Sequence, residues 1–148
     1  MRVRARAAAR GDHSVERILV ATDGSETADW AVRWAARMAS AYAAELVVLR
    51  VVGSFSDGVE AELGRYAEQV GGATARARVT VDDDPPGAIV RVAREEAADV
   101  VVVGSVGMQG RKEFLLGNVP NRVSHNAPCT VVIVDTTPVA AAKRRRRP

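Results

Sequence analysis

Five short apolar runs alternate with four segments of helical periodicity, and this alternation constrains the fold more than any other feature of the sequence. Alternating strands and helices form parallel βαβ units with right-handed crossovers. We therefore expect an open, twisted parallel sheet of five strands with helices on both faces. The predicted strands are 17–23, 45–52, 74–81, 99–104 and 130–134, and the predicted helices are 26–41, 57–70, 88–97 and 117–126.

The charges of the chain divide it into an acidic body and two basic ends. Residues 1–12 carry a net charge of +3 and residues 143–148 carry +5, so the remainder is negative although the whole chain has a net charge of +3. We expect a globular domain over 15–136, with disordered basic tails over 1–14 and 137–148. The body has no basic stripe with interleaved aromatic residues, which argues against a specific nucleic-acid function.

The remaining composition favours a cytoplasmic protein. No apolar run approaches the length of a membrane-spanning helix, and the N-terminal stretch lacks the apolar region of a secretory signal. Cys129 is the single cysteine of the chain. It cannot form an internal disulfide, which suits a reducing compartment.

Glycine-rich loops follow the predicted strands at the sheet edge where such folds bind ligands. In parallel α/β sheets the ligand lies outside the carboxyl ends of the strands, where the strand order reverses. The loops after strands one, two and four are 22–25, 53–57 and 104–110, and the last contains three glycines. Gly117 precedes the final predicted helix, whose unpaired N–H groups attract anions. The pattern predicts a phosphate cradle, with simple loop punctuation as the alternative.

The order and spacing of these motifs resemble the universal stress protein family. The nucleotide-binding motif of that family is similar to a pattern in this chain, which is Gly104-x-x-Gly107, nine intervening residues, and then Gly117 with a small polar residue. The resemblance extends to four further segments in the same order along the chain, which are Thr22-Asp-Gly-Ser25, the strand at 99–105, Phe114-Leu-Leu-Gly-Asn-Val119 and the closing segment 127–134.

This resemblance implies a sheet in the order 3-2-1-4-5, of the adenine nucleotide alpha hydrolase-like kind. It also implies a homodimer that pairs through the last strand. An exposed apolar edge strand is prone to pair with another chain, so the physical argument agrees. The implied interface residues are Val131, Val132, Ile133 and Val134.

The resemblance further implies a site for ATP or another adenine nucleotide. Thr22 and Asp23 would face the base and ribose, Val51 would pack on adenine, and amides of the glycine loop and final helix would meet the phosphates. Asp23 would lie near a nucleotide-bound Mg²⁺ without ligating a metal directly, although Asp23 or Ser25 also suits a helix cap. The implied binding residues are Ala21, Thr22, Asp23, Val51, Val103, Gly104, Ser105, Val106, Gly107, Gly117, Asn118 and Val119.

Two residues depart from the family motif where phosphates are expected. Asn118 stands where Ser or Thr is usual, and Pro120 stands where a hydroxyl residue is common. Proline removes a backbone N–H from the cradle. We expect nucleotide binding to survive, with a shift towards a monophosphate or cyclic phosphate. The three carboxylates at 82–84 would either repel a phosphate or form a solvated turn.

The sequence predicts a binding protein more than an enzyme. Neither His13 nor His125 has a Ser or Cys nucleophile at a recognisable spacing, so we predict no catalytic residue and at most slow ATP hydrolysis. The leading interpretation is a nucleotide-binding regulatory module of the stress response that acts as a homodimer. The alternative is a nucleotide-independent interaction protein, which would use the same dimer and the basic tails to bind an unidentified protein partner.

Overall fold

A computed structural model describes residues 14–106 and 119–146, and its centre is a sheet of five parallel strands. The strand order is β3-β2-β1-β4-β5, which confirms the predicted fold class. Every pairing is parallel, and β1 is the central strand, with β2 on one side and β4 on the other. The strands are β1 (Arg17–Ala21), β2 (Glu45–Val52), β3 (Ala75–Val81), β4 (Val100–Gly104) and β5 (Thr130–Val134).

Helices cover both faces of the sheet. The first two pack on one face and the next two pack on the other. The third helix begins at Pro85, three residues before the predicted start, because both prolines fit the opening turn, where no intrahelical N–H bond is needed. The helices are α1 (Glu26–Tyr42), α2 (Val59–Gly71), a 3₁₀ turn (Gly72–Thr74), α3 (Pro85–Glu95), α4 (Val119–Asn126) and α5 (Thr137–Arg146).

Alternate residues of the central strands pack into two separate hydrophobic layers. Ile18 and Val20 join the layer beneath α1 and α2, whereas Leu19 joins the layer beneath α3 and α4. All three side chains are fully buried. Successive strand residues point to opposite faces, so a strand covered on both faces reads as a continuous apolar run. This packing fixes the carboxyl ends of β1 and β4 side by side.

The C-terminal segment differs from the expectation of a disordered tail over 137–148, because residues 137–146 form α5. Asp135 Oδ1 accepts a hydrogen bond from the backbone N–H of Thr137 at 3.0 Å, and Pro138 lies in the first turn. The run of alanines that follows has high helix propensity, and basic residues at the end complement the helix dipole. The helix packs against α1. The predicted arm over 1–14 lies outside the described residues except for Ser14.

The two edges of the sheet have different chemistry. The predicted edge position of β3 is confirmed, and its Arg76 and Arg78 form ion pairs with Glu96. Burial alone would raise the pKa of Glu96, but the hydrogen bonds from these two guanidinium groups hold that pKa below its ordinary range. At the opposite edge, the side chain of Ile133 on β5 is exposed. Within the described residues, no helix has the length and apolar character to cross a membrane.

Candidate functional site

A cleft of about 250 Å³ opens at the carboxyl edge of the sheet, beyond the ends of β1 and β4. The chain leaves β1 towards β2 and leaves β4 towards β5, so this is the point where the strand order reverses. The lining residues of the cleft are Ala21, Thr22, Asp23, Ser25, Thr27, Ala28, Val51, Pro85, Ile89, Val103, Gly104, Val106, Val119 and Pro120.

One side of the cleft, which we call the first wall, is the turn from β1 into α1 at residues 21–28. Thr22 is held at the end of the strand by a hydrogen bond from its N–H to the carbonyl of Leu49 at 2.9 Å. The hydroxyl of Thr22 accepts the N–H of Gly24 at 3.1 Å, and the carboxylate of Asp23 accepts the N–H of Ser25 at 2.9 Å. These bonds within the turn leave the exposed Asp23 at the rim of the cleft.

Ser25 is the N-cap of α1. The sequence offered Asp23 or Ser25 for this role. Its hydroxyl accepts the N–H of Ala28 at 3.2 Å and lies 3.1 Å from the hydroxyl of Thr27. Ser25 and Thr27 are both buried. The cap satisfies one N–H of the first helical turn and orients the start of α1 towards the cleft.

The opposite side, which we call the second wall, is the end of β4 and the residues after it, 103–106. It is anchored by Thr136, a fully buried residue that follows β5. The hydroxyl of Thr136 accepts the N–H of Val106 at 3.1 Å and donates to the carbonyl of Val106 at 3.0 Å. The N–H of Thr136 donates to the hydroxyl of Ser105 at 3.1 Å, and the N–H of Ser105 donates to the carbonyl of Val134 at 2.8 Å.

Gly104 packs closely against this anchor. A Cβ atom at Gly104 would lie 3.1 Å from Cγ2 of Thr136, which is tighter than ordinary van der Waals contact. The absence of a side chain at this position therefore lets Thr136 approach the second wall. The sequence predicts Gly104 as part of a phosphate cradle, and the structure gives it this additional packing role.

The starts of α3 and α4 close the far side of the cleft. Pro85 and Pro120 line it, and beside them Arg122 forms a bidentate ion pair with Asp84, with Nη1–Oδ1 at 2.7 Å and Nη2–Oδ2 at 2.9 Å. The hydrogen bond from Arg122 holds the pKa of Asp84 below its ordinary range. Asp84 is therefore ionised and paired at neutral pH.

The acidic turn at 82–84 does not face the cleft as a patch of free negative charge. Asp82 lies 3.6 Å from the guanidinium of Arg91 and accepts the N–H of Asp84, while Asp83 is exposed. None of the three carboxylates lines the cleft. These pairings reduce the repulsion between the three carboxylates and a bound phosphate. Of the two alternatives for residues 82–84, the structure favours the solvated turn.

The structure brings eight of the predicted binding residues together around this one cleft. Ser105 lies next to it, but its hydroxyl is engaged with Thr136 and the residue does not line the cavity. Gly107, Gly117 and Asn118 lie outside the described residues. The eight lining residues are Ala21, Thr22, Asp23, Val51, Val103, Gly104, Val106 and Val119.

Sequence reasoning missed the residues that hold the second wall and close the far side. Thr136 lies 30 residues beyond Val106 in the chain, and Arg122 lies 38 residues from Asp84. The parallel register of β4 with β5, which places Gly104 opposite Val134, is the signal that could have drawn attention to Thr136. Ile89 and Pro85 line the cleft as parts of α3, and no local motif marked them.

The cleft combines an apolar interior with polar groups at its rim. Val51, Ile89 and Val103 supply apolar surface, while Thr22 and Asp23 supply polar atoms at the end of β1. This combination suits a planar apolar group with polar substituents. Across 14–106 and 119–146, no group of three or more His, Cys, Asp or Glu side chains is placed to hold a metal ion.

Comparison with known sequences identifies relatives of the whole domain. The profile of the universal stress protein family matches residues 14–135. A universal stress protein of Mycobacterium tuberculosis H37Rv is 31% identical over 141 residues, which cover 81% of this chain and 96% of that protein. A universal stress protein of Methanocaldococcus jannaschii is 29% identical over 145 residues, with 84% of each chain covered.

Comparison with solved structures gives the same result. A crystal structure of a universal stress protein in complex with cAMP is 32% identical, with a TM-score of 0.69, and the match covers 83% of this chain and 98% of that chain. A crystal structure of a Mycobacterium tuberculosis H37Rv protein is 34% identical, with a TM-score of 0.55 and coverage of 82% and 95%.

Proposed function

The chain belongs to the universal stress protein family, and from that premise we propose that its cleft binds an adenine nucleotide and that the protein acts as a nucleotide-dependent regulator of the stress response. The observation that carries the proposal is the convergence of eight predicted binding residues on one cavity at the switch point of the sheet. A similar protein, 32% identical, has a solved structure in complex with cAMP, which supports the same ligand class here.

The adenine ring suits the apolar interior of the cleft. Val51 at the end of β2 and Ile89 on α3 contribute branched aliphatic surface that a flat ring can contact. Thr22 and Asp23 lie at the adjacent rim, where the ribose hydroxyls and the polar edge of the base would find hydrogen-bond partners. In this proposal Val51 and Ile89 contact the base, and the first wall supplies the polar partners of the nucleoside part of the ligand.

The phosphate end of the ligand falls to the second wall and to the start of α4. Pro120 is buried in the first turn of α4 and offers no N–H to a phosphate oxygen. A triphosphate such as ATP, the first candidate from the family resemblance, would therefore lack one hydrogen-bond donor at this position. A single phosphate, as in AMP or cAMP, needs fewer hydrogen bonds, so we expect its affinity to be reduced less. A bound Mg²⁺ would come with the nucleotide, and Asp23 is the cleft carboxylate that would face it.

Titration calorimetry with ATP, ADP, AMP and cAMP, with and without Mg²⁺, tests the proposal. Val51→Trp fills the apolar interior of the cleft, and we expect it to weaken nucleotide binding at least tenfold. Val52→Trp is the matched control, because the next residue of β2 points to the opposite face and does not line the cleft. Absence of nucleotide binding by the wild-type protein would favour the nucleotide-independent interaction protein, and equal affinity in the two variants would contradict the assignment of the nucleotide to this cleft.

We expect binding without appreciable turnover. The carboxylate of Asp23 is held in the turn by the N–H of Ser25, which does not leave it arranged as a general base for an attacking water. Release of phosphate from ATP should therefore be no faster with the wild-type protein than with Val51→Trp. Hydrolysis that depends on an intact Val51 would make the protein an enzyme.

The regulator is proposed to act as a homodimer through β5. This strand lies at the edge of the sheet, and 47% of the surface of Ile133 is exposed on it. Pairing with a second copy would cover the apolar edge. Ile133→Lys should shift the protein to a monomer in analytical ultracentrifugation, whereas the matched control Thr130→Lys, at an already polar and exposed position of β5, should have a smaller effect. A wild-type monomer at micromolar concentration would contradict the dimer.

A further inference from the structure

A second cavity, of about 220 Å³, lies on the other side of the β1–α1 turn from the cleft. It is bounded by the start of α1, the end of β2 and the first turns of α2, and it shares only Thr22 and Ser25 with the cleft. It therefore belongs to the opposite face of the sheet. The lining residues on which its chemistry depends are Gly24, Asp29, Arg50, Glu62, Leu63 and Tyr66.

Among the described residues that line the second cavity, Arg50 carries a positive charge without a direct hydrogen-bond or ion-pair partner. The residue is half-buried, and its guanidinium forms no hydrogen bond or ion pair with the part of the chain that the structure describes. Other guanidinium groups of the domain, such as those of Arg17, Arg78 and Arg122, are paired with carboxylates. A half-buried guanidinium that faces a cavity without a protein partner is available to pair with the anionic group of a ligand.

The backbone around Arg50 leaves room for the guanidinium. Gly24 has φ = +84°, and a Cβ atom there would lie 3.1 Å from Nη1 of Arg50. Glycine permits both the left-handed backbone and the close approach of the guanidinium to the turn. The guanidinium of Arg50 can therefore lie against this turn at the wall of the cavity.

The opposite side of the second cavity is acidic and apolar. Glu62 on α2 forms no ion pair with Arg50 or with any other described side chain. Asp29 is already engaged, because its carboxylate accepts hydrogen bonds from the hydroxyl of Tyr66 and from Arg33. Leu63, which is only 6% exposed, supplies apolar surface beside these groups. Within residues 14–106 and 119–146, the groups that this cavity offers a ligand are thus the unpaired guanidinium of Arg50, the unpaired carboxylate of Glu62 and the apolar surface of Leu63.

We propose that the second cavity binds a small zwitterion of the α-amino-acid class. The ligand carboxylate pairs with Arg50, the ammonium faces Glu62, and an aliphatic side chain contacts Leu63. A phosphate dianion would pair with Arg50 but would also face the carboxylates of Glu62 and Asp29, so the balanced charge of the cavity favours a zwitterion. The volume is below the range typical of drug-sized ligands, which suits a small metabolite.

The test uses the full-length, nucleotide-free protein, so its result is independent of nucleotide binding in the cleft. Each of the standard L-amino acids is titrated by ligand-observed NMR and calorimetry, beside the corresponding amino-acid amides, the carboxylic acids that lack the amine, and inorganic phosphate. We expect an aliphatic amino acid to bind. Its amide, which lacks the carboxylate, and its amine-free analogue should each bind at least tenfold more weakly.

Matched variants assign the binding to the two charged groups. Arg50→Gln should weaken amino-acid binding at least tenfold, whereas Arg65→Gln, which removes an exposed charge of α2 outside the cavity, should leave it unchanged. Glu62→Gln should weaken binding of the amino acid but not of the amine-free acid, and Glu68→Gln is its control. Because Glu62 and Glu68 are exposed, these two variants keep the test valid if Arg50→Gln fails to fold.

Three results would overturn the proposal. They are the absence of binding by every amino acid, tighter binding of phosphate than of any amino acid, and amino-acid binding that both Arg50→Gln and Glu62→Gln leave intact.

Discussion

The two walls of the cleft are built in different ways. The first wall is held mainly by hydrogen bonds between residues two or three positions apart, such as those of Thr22 with Gly24 and of Ser25 with Ala28. The second wall is held by Thr136, which is 30 residues from Val106, and its neighbour α4 is tied to α3 through Arg122 and Asp84, which are 38 residues apart. One wall is thus largely a local turn, and the other is a product of the tertiary fold.

The two walls should therefore differ in when they form during folding and in how sensitive they are to substitution. A local turn with a helix cap can adopt its geometry as soon as β1 and α1 are adjacent. The second wall requires β5 to be docked beside β4, because Ser105 and Val106 bond to residues that follow β5 or end it. Perturbation of the second wall should therefore affect both the stability of the fold and the binding of ligand, whereas the first wall should tolerate loss of a single bond.

Thr136→Val should give the largest effect. The substitution preserves shape but removes the hydroxyl that satisfies both the N–H and the carbonyl of Val106, which is 6% exposed. Two buried polar groups left without partners should lower the free energy of unfolding by about 2 to 4 kcal/mol. Urea denaturation measures the change, and nucleotide affinity should fall in parallel. Thr130→Val, at an exposed position of β5, is the control, and equal effects of the two substitutions would contradict the role of Thr136.

Ser25→Ala should give an intermediate effect on the first wall. Loss of the N-cap hydrogen bond to Ala28 should lower the free energy of unfolding by about 1 kcal/mol. The other bonds of the turn remain, so nucleotide affinity should fall less than in Thr136→Val. Ser40→Ala, an exposed serine near the other end of α1, should change stability by less than about 0.5 kcal/mol. A larger loss of nucleotide affinity in Ser25→Ala than in Thr136→Val would contradict the claim that the second wall is the more sensitive of the two.

Arg122→Gln should affect ligand binding more than stability. The ion pair with Asp84 is exposed, so it adds little to the fold. Its removal leaves the carboxylate of Asp84 unpaired beside the cleft, and nucleotide affinity should fall severalfold at low salt and less at high salt. Calorimetry measures the change. The double variant Arg122→Gln/Asp84→Asn should restore affinity, and Arg94→Gln, an exposed arginine of α3, should be neutral. Failure of the double variant to restore binding would exclude the electrostatic explanation.

The smallest expected effect is the pH dependence of that same ion pair. The pKa of Asp84 is lowered in the folded protein, so the stabilisation from the pair is present above the unfolded pKa of about 4 and is lost as the pH falls through the folded pKa. Carbon NMR titration of the Asp84 carboxyl should therefore give a midpoint below the ordinary value of an aspartate. In Arg122→Gln the midpoint should return towards the ordinary value, and an unchanged midpoint would show that Arg122 does not set it.

The sequence predicted those parts of the molecule that depend on local pattern. The parallel sheet with helices on both faces follows from the alternation of apolar runs and helices, and the strand order was implied by the family resemblance. Thr22, Asp23 and Ser25 belong to a recognisable turn before a helix. Thr136 and the Asp84–Arg122 pair have no local signature, because their partners are distant in the chain. The helix over 137–146 was missed because the basic residues of this segment led to the prediction of a disordered tail, although its alanines favour a helix.

Chemical-shift mapping by NMR with AMP or cAMP tests most directly whether one ligand lies between the two walls. We predict that the largest shifts of backbone amides occur in both walls together, at Thr22 and Asp23 on one side and at Val103 to Val106 on the other, and that they saturate with one affinity. Shifts that are absent, or that occur around Arg50 and Glu62 in the second cavity while both walls stay unchanged, would contradict the account.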